Sequence, residues 1–177
     1  DRWPDEPTWI CAVRVRDGRR IVFGRDDVPT PDVATAAQAS CAIPRTIRPV
    51  RVVDADYIDG AVHSSTNADL VAPLAFDLVV IVSSMTAENP PRSPRSPSMW
   101  WFSRLLAREV AQIRAHGTPV LVVQPTDADL EARRAHGASQ LTVARQAYRT
   151  AAVHLERPDA AEAVALLRDT AARRTPR

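Results

Sequence analysis

The sequence predicts an α/β fold, a three-layer α/β/α sandwich with a mostly parallel central sheet. Two unbroken apolar runs, residues 78–82 (LVVIV) and 120–123 (VLVV), are typical of strands that are buried on both faces of such a sheet. Segments with apolar residues at helical spacing alternate with them, which favours helices on both faces. The chain has 177 residues, so we expect residues 1–177 to form a single domain.

Each element follows from its periodicity and from the turn residues around it. Alternating apolar and polar side chains on both sides of Asp17-Gly18 predict a hairpin, because this dipeptide is typical of tight turns. Prolines and glycines delimit the helices. The predicted strands lie at residues 9–15, 19–23, 50–53, 57–58, 78–82 and 120–123. The predicted helical segments lie at residues 30–42, 98–117, 127–135, 141–155 and from 158 onward, and residues 67–75 are predicted to be helical or irregular.

Caps and inward faces can also be predicted. Thr30 is expected to cap the first helix, with Pro31 and Asp32 in its first turn, and Ser98 is expected to cap a later one. Residues 88–98 contain four prolines and predict an exposed loop. Three apolar stripes are predicted to face the core: Phe102, Leu106, Val110 and Ile113; Leu141, Ala144, Tyr148, Ala151 and Leu155; Ala160, Val164, Leu167 and Ala171.

Composition excludes several functional classes. The net charge is only +2, and the basic residues, all of them arginine, are interleaved with acids, so no nucleic-acid partner is predicted. No apolar run is long enough to span a membrane, and no signal segment opens the chain, which favours the cytoplasm. Cys11 and Cys41 are expected to be small buried hydrophobes, with a disulfide as the alternative. The start at Asp1, without a methionine, suits a piece of a longer polypeptide.

One stretch carries the functional prediction. Residues 39–67 read ASCAIPRTIRPVRVVDADYIDGAVHSSTN, which combines an A-S-x-A-x-P helix end, a proline-containing loop, a strand and Asp59-Gly60. This order resembles the acid-bearing segment of the patatin-like phospholipases, and FDLVVIVSS follows at a suitable distance. The resemblance implies the C-terminal portion of a patatin-like hydrolase domain, with its most specific part at residues 39–84.

The resemblance implies that Asp59 is the catalytic acid of a Ser-Asp dyad in a lipid acyl hydrolase. A serine hydroxyl is a weak nucleophile until a neighbouring base accepts its proton, and a carboxylate can do so directly. The serine of this family lies in a G-x-S-x-G motif, which does not occur in the 177 residues. We therefore expect a missing N-terminal segment to carry the nucleophile, the chain to be inactive alone, and the substrate to be an acyl lipid or ester.

Other polar residues have simpler structural interpretations. His63 is interpreted as a loop hydrogen-bonding residue, His154 as a helix-surface residue, and His116 and His136 as helix-end residues before glycines. No histidine pair has metal-ligand spacing together with a third ligand, so neither a metal nor a cofactor is predicted. Solvation, capping or helix-end packing accounts for five further candidates: Asp54, Asp56, Asp77, Ser40 and Ser139.

Two alternatives remain open at this level. Arg92, Arg95 and Trp100 lie close together in the sequence and could make a peripheral contact with a lipid interface, whereas a tryptophan packed beneath the loop is the simpler interpretation. The chain could also be a non-catalytic module that binds a partner or an anionic surface through the arginine-rich loop. An upstream G-x-S-x-G in the parent reading frame would favour the hydrolase.

Overall fold

The computed structural model describes residues 2–28, 30–91, 97–135, 137 and 139–174. It is a mixed α/β structure with two compact units, residues 1–67 and 68–177, and each unit is described by itself. The single-domain assignment stays a prediction. Residues 92–96 of the predicted proline-rich loop lie outside the described residues, and so does His136.

The first unit is a four-stranded antiparallel sheet with one helix. The elements are β1 (Ile10–Arg14), β2 (Arg20–Phe23), α1 (Val33–Ser40), β3 (Val50–Val52), β4 (Ala55–Asp59) and a 3₁₀ helix at Gly60–Val62. The strands have the order β2-β1-β4-β3, so that β1 pairs with β2 on one side and β4 on the other. The predicted hairpin and both following strands are confirmed.

Small residues let α1 pack close to this sheet. Ala36 and Ala39 of the helix and Ala12 of β1 are completely buried. Alanine adds no bulk between helix and strand, so the backbones can approach each other. The rings of Phe23 and Tyr57 meet edge to face, with their centroids 5.2 Å apart, and close the core from the strand side.

The cap of α1 differs from the prediction. Asp32, not Thr30, is the N-cap, and its carboxylate accepts hydrogen bonds from the backbone N–H groups of Ala34 and Thr35. The Thr35 hydroxyl adds a third bond at 2.6 Å, and it is the main reason that the pKa of Asp32 lies below its ordinary value. Thr30 instead accepts a hydrogen bond from Gly24 N–H.

The second unit contains a parallel strand pair and most of the helices. The elements are a 3₁₀ helix at Ala68–Leu74, β5 (Val79–Val82), α2 (Pro97–Ala115), β6 (Val120–Val123), α3 (Asp127–Arg134), α4 (Gln140–Glu156), a 3₁₀ helix at Pro158–Ala160 and α5 (Ala161–Arg174). β5 and β6 pair in parallel, and α2 forms the crossover between them. Because α2 begins at Pro97, Ser98 lies inside its first turn and is not the cap.

The core of the second unit confirms one predicted stripe and corrects an expectation about β5. Leu106, Val110 and Ile113 of α2 are buried as predicted. The apolar run of β5 is not buried on both faces, because Val80 and Val82 are 46% and 77% exposed. Val79 and Ile81 pack with the cluster of α2, whereas the face that carries Val80 and Val82 is only partly covered.

The inward faces of α4 and α5 also differ from the predicted stripes. Leu141, Tyr148 and Leu155 are exposed, and α4 instead turns the polar residues Thr150 and His154 inward. Of the last predicted stripe, Ala160 is buried and Val164 packs against the same cluster, whereas Leu167 and Ala171 are exposed. In α4, a face with buried polar groups replaces the apolar stripe that the spacing indicates.

Two last features of the fold are the exposure of its cysteines and the length of its helices. Cys11 is half-buried and Cys41, the C-cap of α1, is exposed, which corrects the expectation that both are buried. The two cysteines do not form a disulfide. No helix among the described residues is long and apolar enough to cross a membrane.

We expect Asp17 to titrate far below an ordinary aspartate. The Arg14 guanidinium hydrogen-bonds to its carboxylate and lowers the pKa of Asp17 to about 2. Arg14→Gln should return the pKa of Asp17 toward its ordinary value, as measured by carbon-detected NMR titration. Since the folded pKa is depressed, the hairpin contact is complete above pH 4 and is lost as the pH falls toward 2. An unchanged Asp17 titration in the Arg14 variant would contradict this cause.

Candidate active site

Asp59 lies where β4 ends and the 3₁₀ helix at Gly60–Val62 begins. Its backbone is paired with Ala12 of β1, and its N–H donates a hydrogen bond of 3.0 Å to the carbonyl oxygen of Ala42. The side chain is half-buried. Two separate parts of the first unit therefore hold the backbone of Asp59 in place.

The carboxylate of Asp59 has one anchored oxygen and one available oxygen. Oδ1 accepts a hydrogen bond of 2.7 Å from the backbone N–H of Ala61, as in an N-cap. Among the described residues, Oδ2 has no hydrogen-bond partner. The anchored oxygen fixes the plane of the carboxylate, and Oδ2 can accept a bond from an incoming hydroxyl group.

Gly60 is required for this position because the backbone of β1 passes very close to it. A Cβ built on Gly60 would lie 2.9 Å from the carbonyl carbon of Cys11 and still closer to its oxygen. Real Cβ atoms essentially never approach a neighbour so closely. Glycine is therefore needed here for close approach between backbones.

The two Asp-Gly dipeptides of the chain use glycine for different reasons. Gly18 has a φ of +68° and open space around it, so it serves the left-handed conformation of the hairpin turn. Gly60 has no left-handed φ and serves close packing. Asp17 is bound to Arg14, whereas Asp59 has no such ion pair among the described residues. Only the second dipeptide presents an available carboxylate oxygen.

The A-S-x-A-x-P segment is connected directly to the acid. Ala39 and Ala42 are fully buried against the sheet, and it is the carbonyl oxygen of Ala42 that accepts the N–H of Asp59. Small residues at these positions let the end of α1 come close enough for that bond. Ser40 is the last residue of α1 and Cys41 is its C-cap, and Ser40 has no flanking glycines.

A tight polar turn follows the acid, and the sequence analysis did not identify it. Ser64 is 3% exposed, and its Oγ accepts hydrogen bonds from the backbone N–H groups of Thr66 and Asn67. The side-chain amide of Asn67 donates back to the Ser64 carbonyl oxygen at 2.6 Å, and Asn67 adopts a left-handed φ of +50°. The sequence of residues 64–67, SSTN, could have predicted this turn, because serine and asparagine side chains favour such local hydrogen bonds to the backbone.

The remaining predicted candidates are not brought together with Asp59 by any hydrogen bond in the described structure. His63 is exposed at the end of the 3₁₀ helix, and His116 is exposed at the end of α2, where its ring contacts the carbonyl oxygen of Gln112. Ser139 caps α4 by accepting the N–H of Thr142. Asp56 forms an exposed pair with Arg51. Within the described ranges, no group of three or more His, Cys, Asp or Glu side chains could hold a metal ion.

His154 corrects the interpretation as a surface residue. It is 4% exposed, with Nδ1 located 2.7 Å from the Thr150 carbonyl oxygen and Nε2 3.0 Å from Glu88 Oε1. Both partners are acceptors, so both bonds form only when both ring nitrogens carry protons. Arg157 binds the same Glu88 carboxylate through two nitrogens and is the main cause that lowers the pKa of Glu88.

Asp129 forms the other end of this buried polar network. Its Oδ2 accepts hydrogen bonds from the hydroxyl and N–H of Thr126 and from the Thr150 hydroxyl. Burial alone raises the pKa of Asp129, but these bonds outweigh burial and the net pKa is lowered. The network connects α3, α4 and the segment around Glu88, and it explains why α4 buries polar residues.

The tryptophans near the proline-rich segment are partly exposed. Trp101 is 51% exposed, and the Arg104 guanidinium stacks on the half-buried Trp100 ring, 5.0 Å from its centroid. Arg92 and Arg95 lie outside the described residues, so the predicted lipid contact through them is untested.

Comparison with known families supports the resemblance. The model of the patatin-like phospholipase family matches residues 10–72, which include the whole four-stranded sheet, α1 and Asp59-Gly60. The resemblance that the sequence indicates is therefore confirmed over this part of the chain, and it is a resemblance to a family of lipid hydrolases. No curated protein matches the sequence.

Gly60→Ala should destabilise the first unit more than Gly18→Ala does. The new methyl group at residue 60 overlaps the backbone of Cys11, and we expect a loss of about 1–3 kcal/mol. At residue 18 only the left-handed φ is penalised, by about 1 kcal/mol. Urea unfolding of both variants measures the difference, and equal losses would contradict the close-approach role of Gly60.

The Glu88 contacts should make the second unit sensitive to acid. Because the folded pKa of Glu88 is depressed, its contribution is present above the ordinary glutamate pKa and is lost as the pH falls through the folded value. Arg157→Gln should flatten the loss of thermal stability between pH 5 and 3, when compared with the exposed-residue control Arg168→Gln. An unchanged pH profile in the Arg157 variant would contradict the assignment.

Proposed function

We propose that this chain supplies the acidic half of a Ser-Asp dyad to a lipid acyl hydrolase, with Asp59 as the base. The observation that carries the proposal is the carboxylate of Asp59, anchored through Oδ1 and available through Oδ2, within the stretch that the patatin-like family model matches. Because Asp59 is half-buried, fewer water molecules can compete with a serine hydroxyl for Oδ2.

The mechanism requires a serine from outside these 177 residues, since the chain has no G-x-S-x-G motif. As the serine oxygen attacks the ester carbonyl carbon, its proton passes to Oδ2 of Asp59. The same proton then goes to the alcohol that leaves, and an acyl-serine remains. Water hydrolyses this intermediate with Asp59 again as the base, which restores the serine and releases the fatty acid.

We further propose that both units belong to one hydrolase domain with a three-layer α/β/α arrangement. The parallel pair β5 and β6 would contribute to its central sheet. Val80 and Val82 support this proposal, because they expose on one face of β5 the apolar surface that a further layer would cover.

Contact with a lipid interface is proposed for the tryptophan pair at the start of α2. Amphipathic indoles favour the boundary between headgroups and acyl chains, and Trp101 is half exposed. The arginines at residues 92 and 95 would add attraction to anionic lipids.

Asp59→Asn in the complete protein tests the base. We expect hydrolysis of a short-chain p-nitrophenyl ester to fall by about 10²–10⁴-fold, because the amide cannot accept the proton. The matched control is Asp17→Asn, which alters the other Asp-Gly dipeptide and should leave the rate within about twofold. Circular dichroism should show both variants folded.

Three outcomes would contradict the proposal. Full activity of Asp59→Asn would remove the role of the carboxylate. Turnover by residues 1–177 alone, abolished by replacing one of its own serines, would show that the nucleophile lies within this chain. A parent reading frame without an upstream G-x-S-x-G would favour the alternative, a non-catalytic binding module.

A further inference from the structure

A cleft of about 440 Å³ lies in the second unit, at the carboxyl ends of the parallel strands. Its walls are largely apolar: Val82 ends β5, Val123 ends β6, and Val143, Ala147 and Ala151 belong to α4. In α/β folds, ligands bind preferentially outside the carboxyl ends of parallel strands. The cleft therefore occupies the place in this unit where the topology favours a ligand.

One buried carboxylate at this cleft has an oxygen without a hydrogen-bond partner. Asp129 of α3 lines the cleft and is 6% exposed. Its Oδ2 accepts hydrogen bonds from the hydroxyl and N–H of Thr126 and from the hydroxyl of Thr150. Its Oδ1 is buried and accepts none from the residues that the structure describes. The capping of α3 thus accounts for one oxygen of Asp129 and leaves the other for a further donor.

The negative charge of Asp129 also lacks an ion-pair partner within the described part of the chain. Burial raises the pKa of Asp129, but its hydrogen bonds outweigh burial, so the carboxylate is ionised at neutral pH. His154 adds a favourable electrostatic interaction, although its Nε2 faces Glu88. Arg133 also lines the cleft, but its guanidinium donates to the carbonyl oxygen of Ser84. Because buried charges are ordinarily paired, Asp129 favours a cation from outside the chain.

A second unpaired acceptor belongs to the same cleft. Gln124 directly follows β6 and lines the cleft, and its Oε1 is buried without a hydrogen-bond partner among the described residues. Two such acceptors and a negative charge call for a ligand that donates hydrogen bonds and carries a positive charge. A metal ion does not fit, because within the described ranges no group of three His, Cys, Asp or Glu side chains could hold one.

We propose that this cleft binds a primary ammonium group on a small aliphatic chain. The N–H groups of the ammonium donate to Asp129 Oδ1 and Gln124 Oε1, and the aliphatic chain lies against the apolar walls. A quaternary ammonium lacks the donors and an alcohol lacks the charge, so neither satisfies both needs. Val80 does not line the cleft, so a further layer over β5 can cover Val80 without filling the cleft. The site does not depend on Asp59 and goes beyond the proposed hydrolysis.

Isothermal titration calorimetry of the full-length protein with ligands of one chain length tests the proposal. At neutral pH n-hexylamine has both the charge and the donors, so we expect it to bind saturably. 1-Hexanol lacks the charge and hexyltrimethylammonium lacks the N–H donors, so both should bind at least about tenfold more weakly. n-Butylamine should bind roughly 15-fold more weakly than n-hexylamine, because each buried methylene contributes about fourfold in affinity.

Variants assign the binding to this cleft. Asp129→Asn keeps one oxygen for the bonds from Thr126 and Thr150 and replaces the other by an amide NH₂ group, so n-hexylamine affinity should fall by about 10–100-fold. Ala147→Phe fills the cleft from an exposed position of α4, where a larger side chain is tolerated, and should abolish binding. The matched control is Ala144→Phe, the same change at an exposed position of α4 that does not line the cleft, which should leave the affinity unchanged. Circular dichroism should show all three variants folded.

Ala147→Phe decides the question if Asp129→Asn does not fold, because an alanine side chain makes no hydrogen bond that the substitution could remove. Loss of n-hexylamine binding in Ala147→Phe together with its retention in Ala144→Phe supports the site. The proposal is overturned if n-hexylamine shows no saturable binding, which would mean that water alone serves the two acceptors. It is also overturned if 1-hexanol or hexyltrimethylammonium binds as tightly, or if Ala147→Phe binds n-hexylamine as well as the unchanged protein does.

Discussion

The contact between Gly60 and the backbone of Cys11 is the constraint on which the candidate site depends. It brings the end of β4 against the middle strand of the sheet at a distance that no side chain at residue 60 would allow. Because of this contact, Asp59 is held by β1 pairing on one side and by the Ala42 carbonyl on the other. The position of one carboxylate thus follows from three backbone interactions.

This mode of positioning suits the role proposed for Asp59, a base that acts on a serine from outside these residues. A carboxylate held by flexible side chains would lose conformational entropy when it met a serine hydroxyl, whereas one held by the backbone is already oriented. The single bond from Ala61 N–H fixes the carboxylate plane and leaves Oδ2 available for the proposed proton transfer. Alanine at residues 39 and 42 lets α1 approach closely enough to complete this support.

The second unit is organised by a different principle, a buried polar network. A chain of hydrogen bonds links Asp129, Thr150, His154 and Glu88 across α3, α4 and the segment before residue 92. Asp129 Oδ1 is buried without a partner among the described residues. The pKa values of Asp129 and Glu88 are both lowered, so the bonds to their other oxygens favour the ionised forms. On the opposite side of α4, the apolar side chains of Leu141 and Tyr148 are left exposed.

The sequence by itself determined the Asp17-Gly18 hairpin, the buried stripe of α2 and the stretch around Asp59. These features are local, because turn residues and periodicity act over a few neighbouring residues. Only the tertiary structure decided that Asp32 caps α1, that β5 has one exposed face and that His154 is buried. The bonds of the Asp32 cap are local, and Thr30 is instead bonded to Gly24. The burial of His154 depends on a partner far along the chain, Glu88, which lies 66 residues away. The difference between the two Asp-Gly dipeptides has the same origin, since it depends on whether another strand passes behind the glycine.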